Sequence, residues 1–143
     1  MTDDVISRTR VVPAPPEAIF DLLADPRSHE VIDGSAMVQG VTEGPDRLRK
    51  GATFGMRMRK GPVAYKVTNT VEEFEENRRI AWRHFGKHRW RYELEPAEGG
   101  TLVTESFDTT TVPALIRPIT KLMGKANGAN IDKTLDRLVQ HFS

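Results

Sequence analysis

Between Arg79 and Glu95 apolar and polar side chains alternate almost without a break. Ile80, Trp82 and His84, then His88, Trp90, Tyr92 and Leu94, share one side; Arg79, Ala81, Arg83, Arg89, Arg91, Glu93 and Glu95 share the other. A period of two belongs to a strand with one wet and one buried face. The stretch therefore predicts a hairpin of strands 80–85 and 88–95. Gly86-Lys87 suits a two-residue turn, which would place Arg83 opposite Trp90. A three-residue loop over 85–87 instead pairs His84 with His88, Trp82 with Trp90 and Ile80 with Tyr92. That register keeps every large apolar side chain on one face. Cross-strand aromatic pairs contribute roughly 0.2–1 kcal/mol each, whereas a slip by one residue would bury unpaired arginines at far greater cost. The pattern, not the turn, sets the register.

The same reading extends along the chain. Residues 5–12, rich in β-branched side chains, form a first strand that Pro13 stops. Pro15-Pro16-Glu17 opens a helix through Ala24, because proline suits a first turn and Glu17 complements the positive helix end. Ile19, Phe20, Leu22 and Leu23 give it an apolar face, and Asp25-Pro26 ends it. Residues 28–33 add a second short helix, closed by Gly34. Strands follow at 36–43, 52–59, 63–74, 80–85, 88–95 and 101–110. Their short connections imply an antiparallel meander. Alternation places Phe54, Met56 and Met58 on the inner face of the third strand, and Tyr65, Val67, Asn69 and Val71 on that of the fourth. The seventh strand stays ambiguous: Leu102, Thr104, Ser106 and Asp108 against Val103, Glu105 and Phe107.

Past Pro113 the period changes to three and four. Leu115, Ile119, Leu122, Met123, Ala126, Ile131, Leu135, Leu138 and Phe142 predict one amphipathic helix over 118–141, preceded by a turn at 113–117. Lys121, Lys125, Lys133 and Arg137 occupy its other face. The predicted architecture is α+β, a curved seven-stranded antiparallel sheet wrapped around a long C-terminal helix, with two short helices between the first two strands. A curved sheet needs something against its inner face, and the last helix is the only long apolar element.

Composition narrows the function. The 143 residues suit a single domain (1–143), long enough to bury a core without cross-links. The chain carries 21 basic and 20 acidic residues, a net charge of +1, which gives no general electrostatic case for nucleic acid. It has no cysteine, so disulfides, thiolate metal sites and a cysteine nucleophile are excluded. The acidic start lacks the apolar core of a secretory signal, and no run is long enough for a membrane span. A cytoplasmic location is expected. No phosphate-binding loop or dinucleotide fingerprint occurs, and no cofactor is expected.

The stretch Val11-Val12-Pro13-Ala14-Pro15-Pro16-Glu17-Ala18-Ile19-Phe20-Asp21-Leu22-Leu23-Ala24-Asp25-Pro26 resembles the START-like superfamily, in its bacterial SRPBCC or polyketide cyclase/dehydrase branch. So do Arg79-Ile80-Ala81-Trp82 after an acidic turn and the long closing helix. It is the order of these short motifs that carries the likeness, and it covers nearly the whole chain. The resemblance implies a helix-grip fold. It also implies an apolar cavity between sheet and last helix for a lipid, sterol, polyketide or other hydrophobic molecule. Relatives bind, transport, cyclise, dehydrate or regulate, so the fold does not choose an activity. Residues 113–119 also resemble actinobacterial members, some of which are catalogued as toxins of toxin–antitoxin pairs.

Candidate ligand-binding residues follow from the inner faces: Phe54, Met56, Met58, Tyr65, Val67, Asn69, Trp82, His84, Trp90 and Tyr92 from the sheet, Met123 and Asn127 from the last helix. Methionines adapt to varied apolar ligands, but they also fill irregular cores. Buried tyrosine hydroxyls and asparagine amides, Asn130 included, need partners that a ligand can supply. His84 and His88 facing each other would be two ligands where zinc wants three or four, and they read better as solvated histidines near a turn. Gly124 and Gly128 let the helix approach the sheet or leave room for a ligand, at about 1 kcal/mol each relative to alanine. The cluster Arg47, Arg49, Lys50, Arg57, Arg59 and Lys60 reads better as a solvated outer face than as an anion site. The leading expectation is a small-molecule binding protein, and a homodimer is compatible with it. The alternatives are a metal-free cyclase or dehydratase, acting through an acid or base among His84, His88, Tyr65, Tyr92, Glu105 and Asp108, and a toxin-like or regulatory interaction protein.

Overall fold

The computed structural model describes residues 4–83 and 87–143. The expected pairing of His84 with His88, and Phe85 and Gly86 at the hairpin tip, lie outside the described residues. Seven strands are present: β1 (Val5–Val12), β2 (Val38–Glu43), β3 (Thr53–Lys60), β4 (Val63–Glu75), β5 (Arg79–Arg83), β6 (Arg89–Ala97) and β7 (Gly100–Asp108). Between β1 and β2 come α1 (Pro16–Leu23), a single 3-10 turn (Pro26–Ser28) and α2 (His29–Ile32). The sheet is antiparallel throughout, in the order β1-β7-β6-β5-β4-β3-β2. The meander runs from β2 to β7, and β1 closes onto β7 at the far edge.

The pattern-based register of the aromatic hairpin holds at Ile80↔Tyr92 and Trp82↔Trp90. Polar partners satisfy the opposite face. A bulge between Val71 and Glu73 turns two successive glutamates outward. Glu72 accepts from Arg83 at 2.6 Å and Arg89 at 2.8 Å; Glu73 accepts from Arg89 at 2.9 Å and Arg91 at 2.8 Å. Arg91 also donates to Asp108 at 3.0 Å. Arg83 and Arg89 are direct cross-strand neighbours, so without Glu72 between them the like charges would repel. Strand seven is no longer ambiguous. Val103 and Phe107 belong to the core and Glu105 shares their face, while Ser106 meets Ser7 and Asp108 meets Arg91 on the other.

α1 buries Ile19, Phe20 and Leu23 completely, and Phe20 meets Phe74 edge-on at 5.3 Å. This plugs one end of the concave face together with Val12, Ile80, Leu94 and Val103. The expectation of one unbroken C-terminal helix is corrected. The chain forms α3 (Arg117–Met123) and α4 (Asn127–Phe142), separated at Gly124–Ala126. A Cβ at Gly124 would lie 2.7 Å from the Phe107 ring and one at Gly128 2.8 Å from the Arg8 guanidinium. The glycines thus serve close approach to the sheet, and the first marks the break. Of the apolar stripe, α4 buries Ile131, Leu135 and Leu138, whereas α3 buries nothing. Leu115, Ile119, Leu122 and Met123 are exposed. α4 lies over β1 and β7 and against α2, leaving the inner faces of β3 to β6 to be covered chiefly by the short elements.

Candidate functional site

Incomplete cover leaves a space. A cavity of about 290 Å³ lies between the inner faces of β3–β7 and the elements α2 and α4. This is at the lower end of the range for small-molecule sites, roughly 300–1,000 Å³. Alternation along each strand delivers the wall. β3 contributes Phe54, Met56 and Met58, and β4 contributes Tyr65, Val67 and Asn69, paired across the ladder as Phe54↔Asn69, Met56↔Val67 and Met58↔Tyr65. Trp82, Trp90 and Tyr92 continue the wall on β5 and β6. α4 presents Asn127, Asn130, Ile131 and Thr134 from the opposite side.

The rings pack around a histidine, one stacked on it and one edge-on. His29 stacks on Trp82 at 4.7 Å with planes 18° apart and meets Phe54 edge-on at 5.4 Å. Its Nε2 lies 2.9 Å from the Leu23 carbonyl oxygen, so Nε2 carries the proton and donates. Burial pushes the His29 pKa below the ordinary range, against the opposing pull of the Leu23 carbonyl. The imidazole therefore stays neutral near neutral pH and acts as part of the aromatic wall. Trp90, His88 and Phe107 form a second group, with Phe107 5.0 Å from Trp90 and 4.8 Å from His88.

The polar lining of the cavity includes Glu105, Tyr92 and Asp33. Glu105 is 4% exposed and Tyr92, its direct neighbour on β6, 5%. Tyr92 and Glu105 face each other across the β6–β7 ladder. Burial above all, with the charge of Asp33 adding, raises the Glu105 pKa to about 8, the Tyr92 hydroxyl opposing the shift. Burial and then the Glu105 charge push the Tyr92 hydroxyl well above its usual value. Asp33 is differently placed. It accepts from Ser35 N at 3.1 Å, Ser35 Oγ at 2.7 Å and Val38 N at 2.9 Å, so donors surround its carboxylate. Gly34 brings this loop onto α4. Its amide donates to Thr134 Oγ1 at 2.8 Å, and a Cβ there would sit 2.5 Å from the Asn130 carbonyl.

Of the residues expected around a ligand, Phe54, Met56, Met58, Tyr65, Val67, Asn69, Trp82, Trp90, Tyr92 and Asn127 line the cavity. His84 lies outside the described residues. Met123 is a correction: it is 81% exposed on α3, because the break at Gly124 turns that segment off the sheet. Period gives no sign of His29, Ile32, Asp33, Ser35, Met37 and Val38, which the short helix α2, its following loop and the start of β2 bring into the wall. Short helices carry too few turns for a periodic signal. Glu105 lies on the seventh strand, whose faces alternation does not separate, and it shares its parity with Val103 and Phe107. Among the described residues no group of three or more His, Asp or Glu is arranged to hold a metal ion, and no helix is long and apolar enough to cross a membrane.

Comparison with known proteins adds to this geometry. The family model described as polyketide cyclase / dehydrase and lipid transport matches residues 4–143. An uncharacterized protein of Mycobacterium tuberculosis, Rv0088, is 34% identical over 143 residues, covering 96% of this chain and 64% of its own length. The chain thus spans about two thirds of the curated relative it matches. Among solved structures, protein NE0264 from Nitrosomonas europaea aligns with a TM-score of 0.70 at 18% identity, over 95% of this chain and 92% of the other. Protein Ms6760 from Mycobacterium smegmatis aligns with a TM-score of 0.71 at 18% identity, over 96% and 89%. At such identities the structures speak for the fold alone.

Proposed function

Because this chain belongs to the polyketide cyclase / dehydrase and lipid transport family, we propose that it binds a small, mainly apolar molecule in the cavity between sheet and α4. What carries the reading is the unfilled space of about 290 Å³ beneath α2 and α4, walled by both tryptophans of the chain. A protein interior ordinarily fills such space, because every missing contact costs dispersion energy. An aromatic and thioether wall with polar groups set into it suits an apolar body carrying a polar function. The reading treats residues 1–143 as one START-like domain.

Both tryptophans report from inside, so their fluorescence should change when an apolar probe enters. Val67→Phe tests the assignment. In a filled core the added ring would cost about 1–3 kcal/mol. Here it has space to enter, so the variant should keep its melting temperature while probe affinity falls about tenfold or more, a loss of roughly 1.4 kcal/mol. Unchanged binding together with a lowered melting temperature would mean that probes bind elsewhere. Cyclase or dehydratase chemistry is a second reading, favoured by one observation: the acid–hydroxyl pair Glu105 and Tyr92 in the wall. Its test is turnover of an aromatic polyketone that Glu105→Gln abolishes while binding persists.

A further inference from the structure

Glu105 is a carboxyl without the usual company. No ion pair reaches it among the described residues, and its Oε1 is buried with no hydrogen-bond partner. Arg8 stands opposite it in the β1–β7 register, yet its guanidinium turns away to Asp132 at 3.4 Å and the Ser7 carbonyl at 2.9 Å. Among the described residues the other ionisable groups of the cavity wall are Asp33, His29, His88, Tyr92 and Tyr65, and neither lysine nor arginine lines it. An orphaned carboxyl oxygen in an apolar wall costs free energy unless something answers it. With the charge of Asp33 in the same wall, the inexpensive state is the protonated acid, whose O–H then lacks an acceptor.

We propose that Glu105 is the polar anchor of the cavity, a neutral acid that donates a hydrogen bond from its carboxyl to a carbonyl oxygen of an uncharged ligand. This rests on the ligand-binding reading above and specifies its ligand class. The favoured ligand is a ketone, quinone or ester on an apolar body. Carboxylates such as free fatty acids are disfavoured, because no lysine or arginine among the described residues of the wall meets them and Asp33 repels them. The raised pKa of about 8 is consistent with the donor role near neutrality and sets its limit.

The test uses the full chain and three probes with one ring system: ethylnaphthalene, acetylnaphthalene and naphthoate, followed by tryptophan fluorescence. At about pH 7 the acetyl probe should bind about tenfold more tightly than the ethyl probe, with naphthoate the weakest. At about pH 9, where the anchor has lost its proton, the acetyl preference should vanish. Glu105→Gln keeps an N–H donor and should retain the preference at both pH values. Glu105→Leu should erase it while leaving ethylnaphthalene bound. Equal binding of acetyl and ethyl probes to the wild type would overturn the anchor, since water then satisfies Oε1, and would leave the cavity reading standing. Tightest binding by naphthoate would overturn it as well. Failure of all three probes to bind would remove the cavity reading and the anchor together.

Discussion

Glu105 enters β7 between Val103 and Phe107, and its side chain has to share their buried face. Alternation alone forces this, and the pKa shift follows from it. The folded protein holds a proton that the unfolded chain releases above about pH 4.5, and it keeps that proton until about pH 8. Folding stability therefore falls as pH rises through this window, by at most about 1.4 kcal/mol per pH unit. Glu105→Gln should flatten the decline, seen as a melting temperature that no longer drops between about pH 6.5 and pH 8. A second residue-scale test concerns Gly34. Its missing Cβ is what lets the Asp33–Ser35 loop lie against the α4 backbone. Gly34→Ala should cost about 1–3 kcal/mol in denaturant unfolding, more than the propensity of either residue would suggest.

The two parts of the C-terminal stripe have different fates as elements. α4 presents Ile131, Leu135 and Leu138 to the sheet and the rest to water, so its apolar stripe is spent on the core. α3 continues the same period yet buries nothing. Leu135→Ala should cost about 2–5 kcal/mol, as for other buried leucines. Leu122→Lys should change stability by less than about 0.5 kcal/mol. Equal losses in the two variants would show that α3 packs on the body of the protein. β4 is the other element with a double task. Its bulge sends Val71 and Phe74 inward and both glutamates outward. Burial alone would raise the Glu73 pKa, but Arg91 and Arg89 pull it below the usual carboxylate range. Glu73→Ala leaves Arg91, only 16% exposed in its side chain, with Asp108 as its remaining partner. A loss of about 1–3 kcal/mol is expected, measured as a shift of the urea midpoint at unchanged slope.

Across the whole molecule these charges give stability a maximum in pH. Glu72, Glu73 and Asp108 all have lowered pKa values, because arginines for the two glutamates, and Thr110 followed by Arg91 for Asp108, outweigh the cost of burial. Their contribution is present above the unfolded carboxylate range and is lost as pH falls through their folded values. His29, lowered by burial, adds a loss below about pH 6.5, where the unfolded chain takes up a proton that the folded one refuses. Glu105 acts from the alkaline side. Just below about pH 6.5 the slopes of His29 and Glu105 oppose each other, and above that Glu105 declines alone. A melting-temperature profile should therefore be broad on the acid side of neutrality, fall toward pH 8, and lose that fall in Glu105→Gln.

What repeats along the chain is legible in the chain alone. Period-two alternation specified the strands, the register at Ile80↔Tyr92 and Trp82↔Trp90, and the inward side of β3 and β4, since a slip by one residue turns every side chain over. That makes nine of the cavity residues, all on β3 to β6, legible in the chain alone. Only tertiary structure decided what depends on meeting a distant neighbour. Gly124 breaks the last helix where Phe107 approaches it, Gly34 admits α4, and α2 is too short to announce that His29 will stack on Trp82. Whether the enclosed space fills is settled in the same way, because the gap is set by how closely α2 and α4 approach the sheet, a sum of contacts among residues as much as a hundred positions apart.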